Sequence, residues 1–231
     1  MNKSRKKLHA RKKILLIILV VIAVLISLAA VAYSRYIYPT GEIMPGIYAV
    51  RSDRNDVPMG NFFLLKNGDK YIAVDAGSDN IQTENGLLKL GVSADDVEAV
   101  FITHSHWDHI NSLDLFHNAT IYTGNTEGSD FPEVPHQIMP DGEVLEINAR
   151  SIQILYTPGH TIDSVCYLID GKYLFVGDLF VTTNDSPFEA RYDKGLQLMY
   201  REKMLKVGEV EYVFTGHFGL FKDARFFRWW F

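Results

Sequence analysis

The run His104-Ser105-His106-Trp107-Asp108-His109 constrains this chain more than any other stretch, because it packs four potential metal ligands into six residues. It follows an apolar, strand-like segment, Ala99 to Ile102. Three imidazoles and a carboxylate crowded into an interior lose hydration and compete for protons, and a borderline-soft divalent cation satisfies them together. A metal site is therefore the first expectation, and the spacing suits two ions. Residues two apart in an extended segment point to the same side, so His104 and His106 reach one ion together. Asp108 and His109 are adjacent and open an expected helix, Asp108 to Phe116, which directs them to a second ion. The remaining ligands must come from elsewhere. Three candidates stand where an apolar, β-rich run gives way to a loop: His160 in Thr157-Pro158-Gly159-His160-Thr161, Asp178 after Gly177, and His217 after Gly216. Ligands at strand ends converge easily at one rim of a sheet.

From Gly41 to about His217 the chain resembles the metallo-β-lactamase superfamily. The resemblance is carried by the His-x-His-x-Asp-His run, the later His after Thr-Pro-Gly, the Gly-Asp and the final Gly-His, in that order. It implies an α/β fold, the αββα sandwich, with two metal ions at one edge. It also implies His104, His106 and His160 as ligands of the first ion, Asp108, His109 and His217 as ligands of the second, and Asp178 as the carboxylate shared by both. Val74-Asp75-Ala76-Gly77 matches the family's first motif, so Asp75 either orients a ligand imidazole or simply stabilises a turn. Two ions about 3.5 to 4 Å apart bring the pKa of a bridging water toward neutrality. The implied activity is hydrolysis by metal-bound hydroxide, with Asp108 as the catalytic carboxylate that steadies the nucleophile or leaving group.

Within the superfamily, His106 stands where flavodiiron oxygen reductases usually carry Glu, so two Zn2+ are expected, with other divalent metals open. Asp178 stands where most penicillin-type β-lactamases carry Cys or lack a bridging carboxylate. Hydroxyacylglutathione hydrolases and acyl-homoserine lactonases carry the Asp. The former's helical C-terminal region is not expected after His217, and Asn111-Ser112 stands where Gly-Gly is frequent. The expected substrate is a small-molecule ester, thioester or lactone. A β-lactam, a phosphodiester, or a non-catalytic metal-binding or sensory role stay as alternatives. No Gly-x-Ser-x-Gly elbow and no Gly-rich phosphate loop is present, which sets serine hydrolases and nucleotide-binding folds aside.

Charge sorts the chain into two parts. No acidic residue precedes Glu42, while eight of the 23 Lys and Arg do; the other 15 face 28 Asp and Glu, a formal charge near −13. An acidic domain repels phosphates, so nucleic acid is not an expected partner. Ile14 to Ala32 is apolar except for Ser27, and a helix of that length rises about 28 Å, close to the hydrocarbon thickness of a bilayer. The expectation is a basic cytoplasmic leader over 1–13, a transmembrane helix over 14–33, a linker over 34–41 and the hydrolase domain over 42–231. By the positive-inside tendency the domain then lies outside the cytoplasmic membrane as a single-pass protein. Cleavage near Ala32, giving a secreted protein, is the alternative. Cys166, the lone cysteine, reads as a buried structural thiol. His9, His117 and His136 lie outside the motifs and read as surface or structural.

Periodicity supplies the rest. Strands are expected at Ile47–Val50, Asn61–Leu65, Tyr71–Val74, Ile121–Thr123, Val144–Ile147, Ile152–Tyr156, Val165–Ile169, Tyr173–Val176 and Tyr212–Thr215, with turns at Lys66-Asn67-Gly68-Asp69 and Asp170-Gly171. Helices are expected at Gln82–Leu90 and Lys194–Val207. The Ser52–Gly60 and Thr182–Leu196 segments are placed to rim the pocket, and the aromatic Phe226–Phe231 stretch to pack on the core.

Overall fold

The segment Asn-Phe-Phe-Leu-Leu-Lys-Asn at Asn61–Asn67 is apolar at consecutive positions, and a strand of that kind needs cover on both faces. The fold provides it. In the computed structural model, which describes residues 11–27, 38–53, 59–180, 192–204, 206–207, 210–217 and 219–222, two sheets stack face to face. The first holds β1 (Gly41–Met44), β2 (Ile47–Arg51), β3 (Asn61–Asn67), β4 (Lys70–Val74), β5 (Val97–Phe101), β6 (Thr120–Thr123) and β7 (Gln137–Ile138), side by side in that order. The second holds β8 (Val144–Ile147), β9 (Arg150–Tyr156), β10 (Val165–Ile169), β11 (Tyr173–Phe175), β12 (Tyr212–Thr215) and β13 (Gly219–Lys222), again in sequence order.

Alternation along each strand splits the apolar residues between layers. Phe63 and Leu65 of β3 meet Val165, Tyr167 and Ile169 of β10 in the core between the sheets. Phe62 and Leu64 pack outward with Leu87 of α2 (Asn80–Lys89). Cys166 and Leu168 pack outward with Met204 of α4 (Lys194–Met204). The result is helix, sheet, sheet, helix. Aromatic rings lock the middle layer, with Phe63 edge-on to Phe175 at 5.5 Å and to Phe214 at 5.4 Å. Truncating the fully buried Phe214 to Ala would cost about 3–5 kcal/mol.

Strand direction places the site. β4, β5 and β6 run parallel, and β11 runs parallel to β12. Because β10 is antiparallel to both β9 and β11, β9 shares their direction. The carboxyl ends of β4, β5, β9, β11 and β12 therefore gather at one rim, where α/β sheets generally place ligand sites. Bonds cross between the sheets at that rim: Val165 N donates to Thr103 O at 2.8 Å, and Asn61 N donates to Gly216 O at 2.9 Å.

Several elements differ from expectation. The helix expected over Asp108–Phe116 is two short pieces, α3 (Trp107–Ile110) and a 3₁₀ turn at Leu113–Phe116. Ser112 breaks it by bonding elsewhere, its N–H to Gly77 O and its hydroxyl to Thr83. α2 begins at Asn80, ahead of Gln82, because the Asp79 side chain accepts from Gln82 N. Helix α4 ends at Met204 instead of Val207. β1, β7 and β13 were not anticipated; they are sheet-edge or near-edge strands of two to four residues, too short for alternation to show.

The chain separates into two units, Met1–Tyr36 and Ile37–Phe231. In the first, residues 11–27 form a helix, α1. Among the described residues no helix is long and apolar enough to cross a membrane. This corrects the single-pass anchor expected over 14–33, and with it the membrane partner and the cell-membrane location: the apolar run is described as helix over 11–27, and that described stretch does not meet the length and hydropathy a span requires. The leader over 1–10, much of the Ser52–Gly60 and Thr182–Leu196 segments, and Phe226–Phe231 lie outside the described residues.

Candidate metal centre

All seven side chains singled out by motif and spacing come together at the rim. His104, His106, Asp108 and His109 follow β5, His160 follows β9, Asp178 follows β11 and His217 follows β12. They form two groups able to hold a metal ion, His104 with His106, His160 and Asp178, and Asp108 with His109 and His217. In the first, His106 Nδ1 lies 3.0 Å from His104 Nε2 and 2.9 Å from His160 Nε2. In the second, His217 Nε2 lies 3.3 Å from Asp108 Oδ2, and His109 Nε2 lies 3.9 Å from the same oxygen.

Asp178 faces both groups, one oxygen each. Oδ2 is 3.3 Å from His160 Nε2 and 3.7 Å from His104 Nε2, while Oδ1 is 3.3 Å from both His109 Nε2 and His217 Nε2. Donor atoms placed tetrahedrally at the zinc–ligand distance of about 2.0–2.1 Å stand roughly 3.3 Å apart, so these separations fit the edges of such a polyhedron. Buried His109 Nε2 and Asp178 Oδ1 face one another without meeting hydrogen-bond geometry and have no other bond among the described residues. Two orphaned buried polar atoms aimed at one point are costly without a cation, and the donor set suits a divalent one, zinc being typical.

Electrostatics within the protein follow the same grouping. Burial alone would raise the Asp178 pKa, but His217 and His109 beside it hold it well below the ordinary carboxylate value. Burial opposes charge on His109, yet Asp75, Asp178 and Asp108 outweigh it and raise its pKa well above the usual value. His217, against the same burial, is raised to about 10 by Asp178 and Asp108. His104 goes the other way, lowered by burial and by neighbouring His109. Asp108, whose burial is outweighed chiefly by His109, is lowered.

Behind the candidate ligands sits a support that orients them. Asp75, 3 % exposed at the end of β4 with φ +65°, accepts from His109 Nδ1 at 2.8 Å and from Thr103 N at 2.8 Å. Thr103 Oγ1 donates to Asp75 at 3.0 Å, which leaves a lone pair for His104 Nδ1 at 3.1 Å. One carboxylate thus fixes the His109 tautomer directly and the His104 tautomer through a hydroxyl, turning both Nε2 atoms toward the cluster. Asp75 is far more than a turn residue. Thr103 went unnoticed in the sequence, although its place immediately before His104, at a strand end, was a usable signal. Close backbone approach completes the packing: a Cβ at Gly60 would meet Gly216 O at 2.6 Å, and one at Gly216 would meet His109 Cε1 at 2.8 Å.

The other titratable candidates stay apart. His117 is exposed beside Asp95, and His136 bonds to Val134 O. Cys166 is fully buried, and burial pushes its thiol up to about 12, which leaves it unreactive.

The fold and this rim define a class. The family model described as the metallo-β-lactamase superfamily matches residues 55–217, and the chain belongs to that superfamily. Among curated relatives, a hydroxyacylglutathione hydrolase of Vibrio cholerae is 31 % identical over 67 % of this chain and 60 % of its own. A protein named a probable metallo-hydrolase of Methanocaldococcus jannaschii is 30 % identical over 64 % of this chain and 71 % of its own. Matches to other relatives also span only part of their length, such as 55 % of a β-lactamase-like protein 2 homolog of Caenorhabditis elegans. A metallo-β-lactamase family protein of Thermus thermophilus superposes with a TM-score of 0.63 at 21 % identity, covering 80 % of this chain and 77 % of that one, and shares the fold.

Proposed function

We propose that this chain hydrolyses a small-molecule ester, thioester or lactone with two divalent cations, zinc in the first instance. His104, His106 and His160 would hold one, Asp108, His109 and His217 the other, and Asp178 would serve both. The observation that carries this reading is the division of the Asp178 oxygens, each within 3.3 Å of a different imidazole group. When bound, a pair of divalent ions supplies Lewis acidity and water activation near neutral pH. The remaining work belongs to side chains. Asp108, only partly buried and held ionised by His109 and His217, would help orient a water through its carboxylate. Asp75 and Thr103 keep the imidazoles aimed, so little reorganisation is needed during reaction.

A cavity of about 450 Å3 opens beside His106, walled by Trp107, Ile110, Leu113, Pro132 and Val134, with Asp114 and Asp130 at its edge. Its volume suits a small molecule. Its described lining combines those five apolar side chains with Ser105, His106, Asn111 and the two carboxylates, and no Lys or Arg, which favours a neutral or amine-bearing substituent over an anionic one. That distinguishes the expected substrate from a glutathione conjugate, whose carboxylates would meet like charge.

The test is hydrolysis of an ester, thioester and lactone panel by the zinc-loaded full chain. Turnover of at least one member is expected, abolished by chelation and restored by zinc. Asp108→Ala should lower kcat by roughly 10²–10⁴-fold with a smaller change in KM. Hydrolysis that survives chelation, or near wild-type rates in folded Asp108→Ala and Asp178→Ala, would sink the proposal. His117→Ala is the neutral control.

A further inference from the structure

His160 and Asp178 arrive at the rim on separate loops, after β9 and β11, and the chain between them does not by itself set their spacing. One element touches both loops. The backbone N–H of Asp193, whose side chain accepts from Leu196 N at the start of α4, donates to Gly159 O at 2.9 Å. Gly159, at φ +147°, lies so flat against the helix that a Cβ there would stand 2.4 Å from Gln197 N and 2.5 Å from its Cα. On the other side, Gln197 Nε2 donates to Leu179 O at 3.1 Å and to Asp178 O at 3.4 Å. Arg201 Nε donates to the same Leu179 O at 2.6 Å.

We propose that α4 sets the spacing between His160 and Asp178, with Gln197 as a positioning residue for the shared carboxylate and Arg201 as its support. Gln197 and Arg201 are 2 % and 7 % exposed on the helix face that packs on the second sheet. Residues four apart on such a face are ordinarily apolar, as Met204 is here. Burying an amide and a guanidinium is unfavourable unless each is bonded, so their presence favours geometry over bulk stability. Both spend donors on the carbonyl that follows Asp178, and Gln197 reaches the Asp178 carbonyl as well. The Gly159 contact sets the other limit: α4 cannot move toward the His160 loop without collision, nor away from it without losing the Asp193 bond. The inference rests on the reading of His160 and Asp178 as metal ligands.

The experiment uses the full chain carrying Gln197→Met, which keeps length and removes both donors. Two readouts are zinc affinity, by competition with a chromophoric chelator, and the visible absorption of the cobalt-loaded protein. Zinc affinity should fall about 10–100-fold and the cobalt bands should shift. The metal-free melting temperature should change little, since an apolar side chain replaces a buried polar one. A purely structural role would do the reverse, lowering the melting temperature and leaving the cobalt spectrum alone. Arg201→Lys should keep the spectrum and Arg201→Met should not, while Leu198→Ala, at an exposed position of the same helix, should match wild type. Wild-type zinc affinity and spectrum in folded Gln197→Met overturn the proposal; should that variant not fold, the same result in Arg201→Met does so. Wild-type protein that binds neither zinc nor cobalt would sink the metal reading itself, a different and separable failure.

Discussion

Asp75→Asn offers a sharp test of how the rim is organised, because it alters one atom and the structure says which imidazole must respond. Asp75 Oδ1 accepts from Thr103 N at 2.8 Å and Thr103 Oγ1 at 3.0 Å, while Oδ2 accepts from His109 Nδ1 at 2.8 Å. An asparagine has one acceptor oxygen to share. The buried Thr103 N–H has no alternative, and leaving it unbonded would cost about 1–3 kcal/mol, so the oxygen should stay on the Thr103 side. The new NH2 group then faces His109 Nδ1 and forces it to become an acceptor. The His109 proton moves to Nε2, which points at Asp178 Oδ1 across 3.3 Å and into the second cluster. The Thr103 link to His104 survives, so the first cluster keeps its tautomer. The loss should therefore be selective: zinc affinity at the second cluster falls about 10–100-fold, or roughly 1.4–2.7 kcal/mol, with the first cluster nearly unchanged. Stepwise competition titration with a chromophoric chelator reads both. Equal weakening at both clusters, or none at either, would refute the tautomer argument.

Three further outcomes follow from geometry described above. Gly216→Ala should weaken metal binding at least tenfold, because the added methyl carbon falls 2.8 Å from His109 Cε1 and 3.1 Å from Asp178 Oδ1; unchanged zinc stoichiometry and affinity would contradict it. Zinc binding should release protons, since His109 is raised well above its ordinary value and His217 to about 10 in the metal-free protein, and both must be neutral to ligate. In that metal-free state the raised imidazoles add stability that is full below about pH 6.5 and is lost as pH climbs through the folded values, so zinc affinity should rise with pH between those limits. Calorimetry in buffers of different ionisation enthalpy counts the protons, and a count of zero would refute the assignment. Finally, among esters sharing a leaving group, kcat/KM should favour ammonium-bearing or neutral chains over carboxylate-bearing ones by about two- to tenfold, and Asp114→Asn with Asp130→Asn should flatten the series.

What the sequence disclosed depended on how local each cause was. Val165–Ile169 and Val144–Ile147 have the bounds that their apolar, β-rich runs suggested, because such runs between turn residues are written directly into residue order. Asp170 and Gly171 turn with φ +54° and +67°, as an Asp-Gly pair between strands should. The seven candidate ligands were legible because their motifs sit at strand ends, where chain direction alone brings them to one rim. Gln197 and Arg201 were not, since each matters only through a partner supplied from a different segment. The short helix after Trp107 misled for a related reason: its apolar spacing is helical, but Ser112 finds better hydrogen bonds on Gly77 and Thr83 than a helix could offer it. At the N-terminus the difference was of another kind, as an apolar run was read as a membrane span while among the described residues no helix is long and apolar enough to be one.

The uneven origin of the seven candidate ligands shapes how this protein can be damaged. Four ride on a single stretch of six residues after β5, while His160, Asp178 and His217 arrive one at a time on three loops of the other sheet. A single insertion, deletion or proteolytic nick within 104–109 would strike both clusters in one event. Lesions of the other loops are graded: losing His217 depletes one cluster, losing His160 the other, and only at Asp178 do both suffer. Insertions, deletions and nicks should accordingly yield partly loaded proteins when they fall on the loops of the second half of the chain, and almost none when they fall within 104–109.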